Sequence, residues 1–158
     1  MSTFSEQLLA FQRKTENKMV RLVYNVVLGV TDNLIELSPW GDWEAWSDKA
    51  QRRKPRPPYE PGLFKGAWDY GLGSPSLIEW EVIDATGEVS MSRVRGKVSG
   101  LTLRQAAGKH YLSNNTPYAK QMESGYRLVG HNLQLGHMIE ATGQRFPTIV
   151  TEAAHHVA

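Results

Sequence analysis

Apolar residues recur near the start of the chain at Phe4, Leu8, Phe11, Met19, Leu22, Val26 and Val30, mostly three or four positions apart. That spacing marks one face of an amphipathic helix. Thr3 and Glu6 stand at capping-box spacing, which satisfies orphan amides at a helix start. Ser38-Pro39 ends the pattern, because a residue before proline is pushed out of helical geometry. Polar Gln12, Arg13, Lys14, Glu16, Asn17 and Lys18 fill the early outer face. From Met19 to Leu37 the sequence is more apolar all round, so burial on more than one side is expected there. A helix over 3–37 spans about 50 Å. That is longer than a domain of 158 residues is wide, so part of it should project or pack on a neighbouring subunit.

Periodicity then lapses from Ser38 to Pro75, a stretch rich in proline and glycine that also holds Trp40, Trp43, Trp46 and Trp68. A long loop is expected here, ordered by an assembly partner, since tryptophans carry apolar area that seeks burial. Leu77 to Ile83 alternates as a strand would, with Ile78, Trp80 and Val82 on one face. After turn chemistry at 84–87, the looser alternation of Val89, Met91, Arg93 and Arg95 predicts a second strand over 89–98 and a hairpin. Leu101 to Ala107 predicts a short helical turn stopped by Gly108, and Lys109 to Ser113 another strand. Asn114 and Asn115 tolerate left-handed backbone. Pro117 suits the start of a helical turn through Tyr118, Ala119, Met122 and Glu123, which Gly125 closes. A last strand is expected at 137–140. The C-terminal helix should begin near Thr142 or slightly later, because Pro147 belongs in a first turn. The sum is one α+β domain over 1–158. It comprises a long N-terminal helix (3–37), an extended loop (38–75), a small mostly antiparallel sheet with short helical turns (76–140) and a C-terminal helix (142–157).

Composition narrows the chemistry. The chain has no cysteine, which removes disulfides, thiolate nucleophiles and thiolate metal sites and suits a reducing cytoplasm. A net charge of +2 and a pI near 8.9 fall short of the focused excess of a dedicated DNA-binding domain. No apolar run approaches the roughly 20 residues of a membrane helix, and the start MSTFSEQLL does not read as a signal peptide.

His155 and His156 are adjacent and so point about 100° apart on a helix, while His110, His131 and His137 lack metal-ligand spacing. No nucleophile elbow and no phosphate-binding glycine loop occur. Glu79, Glu81 and Asp84 are expected on a solvated face. Glu123, between Tyr118 and Gly125, reads as a hydrogen-bonded anchor rather than a catalytic acid. Neither an enzyme, a metal nor a cofactor is expected. The strongest charge feature is the run Lys49, Arg52, Arg53, Lys54 and Arg56, followed by Lys65. Docking on an acidic protein surface is the favoured reading, with solvation of a loop or phosphate contact as alternatives.

Several short motifs occur together in order. Ser38-Pro39 closes the helix, Gly62-Leu-Phe-Lys65-Gly-Ala-Trp68 follows, and Asn114-Asn115-Thr-Pro117-Tyr118-Ala119 leads to Glu123 and Gly125. Gly136-His-Met138 precedes the last helix. In this the chain resembles the tail-completion or neck (head–tail connector) proteins of long-tailed bacteriophages, including minor tail proteins of the Z type. It differs in carrying Trp40-Gly-Asp-Trp43 and a basic insertion where that family commonly has Asp-Thr-Gly. The resemblance implies a structural subunit that assembles as a homohexameric ring at the head-proximal end of a tail. Its implied partners are further copies of itself, the tail tube or tail terminator, and the head connector or portal adaptor. Nucleic acid would enter only if the ring lines the DNA path, and no membrane is implied. The implied location is the virion head–tail junction, with assembly in the host cytoplasm.

Overall fold

The computed structural model describes residues 3–38, 62–124 and 137–157. Helix α1 spans Phe4–Leu37 as one run of 34 residues. Its capping box is complete: the Glu6 amide donates to Thr3 Oγ1 and the Thr3 amide to Glu6 Oε2. At the far end Ser38 Oγ donates to the Leu34 carbonyl at 2.6 Å. The two halves of α1 differ sharply. Residues 3–15 are exposed throughout, whereas Val27, Thr31, Asn33, Leu34 and Ile35 are buried. The first half therefore stands clear of the rest of the described chain.

The remaining elements are α2 (Leu63–Gly66), β1 (Trp68–Leu72), α3 (Glu88–Val98), α4 (Leu103–Ala106), β2 (His110–Asn114), α5 (Ala119–Glu123) and α6 (Met138–His155). β1 and β2 form a two-stranded antiparallel sheet in which Trp68 faces Asn114, Tyr70 faces Leu112 and Leu72 faces His110. Strand geometry puts Trp68 and Tyr70 on one face, with Asp69 on the other. The fold is α+β, with a long N-terminal helix, a small antiparallel sheet and a C-terminal helix.

Two apolar clusters join these elements. Leu34, Ile35, Phe64, Trp68, Met122 and Met138 form one, and Val27, Tyr70, Val94 and Val98 the other. Both draw on the second half of α1. This is why that half is buried and the first half is exposed.

Several expectations are corrected. Residues 89–98, expected as a strand, belong to α3. Ser90, Val94 and Val98 recur every four residues and are all buried, so packing against α1 and β1 selects the helical repeat over the looser alternation. The segment 77–83 forms no regular element and pairs with no strand among the described residues, and Leu77 is 90 % exposed. There is no strand at 137–140, because α6 already begins at Met138. Pro147 then lies well inside α6, where it deprives the Gly143 carbonyl of its intrahelical donor. Burial of Met138, Thr142, Ile149 and Ala153 outweighs that loss. The C-terminal part of the expected loop, 62–75, holds α2 and β1; residues 39–61, including Trp40, Trp43 and Trp46, lie outside the described residues.

Candidate functional site

The motif residues fasten segments distant in sequence. Trp68 Nε1 donates to Ser38 Oγ at 2.8 Å, tying β1 to the end of α1. Phe64 meets the Trp68 ring edge-on at 6.0 Å and the Tyr118 ring at 6.1 Å, and Ala119 packs against the same cluster. Asn114 Nδ2 donates to the Phe64 carbonyl at 2.8 Å while its Oδ1 accepts from the Thr116 amide and hydroxyl. Asn115 Nδ2 bonds the carbonyls of Ser76 and Ile78. Neither asparagine uses left-handed backbone, since His137 is the one non-glycine residue with positive φ among those described. They turn the chain through side-chain bonds instead.

Pro117 occupies the exposed turn before α5. Gly62 adopts φ 84° at the start of α2, and Lys65 offers its carbonyl to Ser90 Oγ at 2.8 Å. A Cβ on Gly66 would lie 2.0 Å from the Val82 carbonyl oxygen, so only glycine permits that approach.

Glu123 has the most specific role. Its two carboxylate oxygens accept from the amides of Met138 and Ile139, both at 3.1 Å, and its carbonyl accepts from the His137 amide at 2.8 Å. His137 supplies no side-chain cap, so Glu123 satisfies the positive end of α6 from another element.

A polar hub occupies the sheet face carrying Asp69. This carboxylate is fully buried and accepts from Lys97 Nζ, Ser76 Oγ, Trp80 Nε1 and the Tyr70 amide. Burial by itself would raise its pKa, but those donors together outweigh it and hold the group below its ordinary value. The Arg93 guanidinium lies 3.9 Å from the Trp80 ring centroid and donates to the Gly66 and Trp68 carbonyls. Asp84, expected on a solvated face, is instead buried. Its Oδ2 accepts from the Val89 amide at 2.7 Å, capping α3, and Thr86 donates to its Oδ1. Burial pushes its pKa up, but the Thr86 and backbone donors prevail and lower it. Glu79 and Glu81 are exposed.

The opposite sheet face borders a half-open apolar groove of about 650 Å³ between α1, the strands and α6. Its walls include Leu22, Val26 and Val30 of α1, Tyr70 and Leu112 of the sheet, and Phe146 of α6. His110 Nε2 sits 3.0 Å from the Ala106 carbonyl and donates to it, while Nδ1 and Tyr70 Oη share a hydrogen bond at 2.7 Å. Burial pushes the Tyr70 pKa up, so the phenol stays neutral. With both nitrogens and the hydroxyl engaged, the pair orders the strands rather than presenting a base.

No group of three or more histidine or acidic side chains is placed to hold a metal ion among the described residues. Trp40, Trp43, Trp46, Lys49, Arg52, Arg53, Lys54, Arg56 and Gly125 lie outside the described residues. Reading the sequence missed the Asp69 hub and the groove. The alternation Trp68, Tyr70, Leu72 was a signal for β1 inside the presumed loop, and the Ser90, Val94, Val98 repeat was one for α3. The groove had no local signal, because three separate elements build it. Compared with family models, curated proteins and solved structures, the chain matches none.

Proposed function

We propose that the protein is a structural virion component that completes a phage tail and forms part of the head–tail junction as a ring, without catalysis. One observation carries this reading: four of the residues that bear the resemblance, Ser38, Trp68, Asn114 and Glu123, spend their polar groups on fastening the fold. Ser38 and Trp68 bond each other, Asn114 holds α2, and Glu123 caps α6. None of these groups is left presented for chemistry. The exposed apolar stripe of α1 adds a surface suited to another subunit, as an assembly protein requires. Its partners in this reading are copies of itself, the tail tube or terminator below, and the portal adaptor above.

The test is negative-stain electron microscopy of lysates from a phage lacking the gene. Filled heads lying apart from tails, or tubes of uncontrolled length, are the expected result. Normal joined particles would overturn the reading, and salt-dependent DNA binding through residues 49–65 would become the leading account.

A further inference from the structure

We propose that the groove between α1, the two strands and α6 receives the projecting half of α1 from a second copy of this chain. The proposal deepens the ring reading and rests on it for closure of successive contacts into a ring. The donor is the stripe Phe4, Leu8 and Phe11, exposed by 79, 55 and 68 %. Its spacing, i, i+4 and i+7, is that of a helix laying anchors into an apolar groove. A helix cannot fold back on itself, and the second half of α1 already forms one wall of the groove. The stripe therefore cannot reach the groove of its own chain and has no cover among the described residues.

The acceptor fits in length and character. Phe4 to Phe11 covers about 10 Å at 1.5 Å per residue, within the α6 wall from Ile139 to Val150, which covers about 17 Å. Ile139 and Phe146 on that wall are 62 and 46 % exposed, an apolar lip with no cover among the described residues. The Thr142 hydroxyl lines the same groove, buried and without a hydrogen-bond partner among the described residues. Charge agrees as well. Lys14 follows one edge of the stripe, and Glu140, next to Ile139 and 3.4 Å from His137 Nδ1, is exposed on α6. Stripe and groove are different surfaces, so the contact is heterologous. Each copy then offers one of each, and contacts propagate until they close.

The absence of cysteine makes the test clean. Single variants Phe11→Cys and Phe146→Cys are mixed under mild oxidation. The expected result is a cross-linked dimer in the mixture and little in either variant alone. Dimers of Phe11→Cys with itself would overturn the proposal, pointing instead to paired N-terminal helices. Light scattering of the wild type at tens of micromolar should give a mass above the monomer. Leu8→Glu, at an exposed position, should return the monomer mass with unchanged helix content by circular dichroism. A monomeric wild type, or an oligomer indifferent to Leu8→Glu, would also overturn it. If the cross-link forms but phage lacking the gene still join heads to tails, the junction reading fails and this contact stands. A junction defect without the cross-link fails this contact alone.

Discussion

Lys97 Nζ lies 2.6 and 2.8 Å from the two carboxylate oxygens of Asp69, joining a fully buried anion to a lysine side chain that is 37 % exposed. The pair connects α3 to β1, and through Ser76 and Trp80 it holds the irregular segment 75–84 against the sheet. The two partners are not equivalent. Lys97→Met strands a carboxylate with no access to water and should cost about 3–4 kcal/mol. Asp69→Asn leaves a cation that can reach solvent and should cost less, about 2 kcal/mol. Urea denaturation of the two variants checks the order.

Acid should unfold the protein through the same group. Asp69 and Asp84 both titrate below their ordinary values in the folded state. The unfolded chain takes up their protons first, near pH 4. The stability they contribute is present above that pH and lost as pH falls through the lower folded values. Urea midpoints measured from neutral pH downward should fall most steeply below about pH 4. Asp84→Asn should flatten that limb.

Glu123 caps α6 from outside the helix, so its loss should act first on that helix. Glu123→Gln keeps an acceptor and removes the charge, and should cost about 1 kcal/mol; Glu123→Ala should cost about 1–2 kcal/mol. Hydrogen exchange should show the amides of Met138 and Ile139 losing protection before those of α1. Equal loss across the molecule would argue against a capping role.

The Trp68–Ser38 bond can be isolated by a double-mutant cycle. Trp68→Phe and Ser38→Ala each remove one partner of the 2.8 Å contact. Their combined effect should fall short of additivity by about 1 kcal/mol. Additive costs would mean that Trp68 acts through ring packing against Phe64 alone.

Gly66→Ala should be more damaging than any surface change. The new methyl would meet backbone, the Val82 carbonyl oxygen, which cannot swing aside as a side-chain end can. A loss of roughly 2–3 kcal/mol, or failure to fold, is expected by thermal melting.

Features encoded within a few adjacent residues were legible in the sequence. The capping box of Thr3 and Glu6 and the stop at Ser38 bound α1 because each acts on its own helix end. The helical turns at Leu103–Ala106 and Ala119–Glu123 and the strand at His110–Asn114 likewise follow from local turn chemistry. Among motif residues, the anchoring role expected of Glu123 was visible, but its partners, fifteen and sixteen residues away, were not. Where two periodicities competed, tertiary packing decided. Residues 89–98 carry both an alternating and a four-residue repeat, and burial of Ser90, Val94 and Val98 selected the helix. Packing on α1 likewise overrode Pro147 and let α6 begin at Met138. The stripe of α1 and the deeper burial of its second half were written in the sequence, but the point at which cover among the described residues ends was not. That point depends on how far α6 and the sheet extend along α1, a distance set only when the elements pack together.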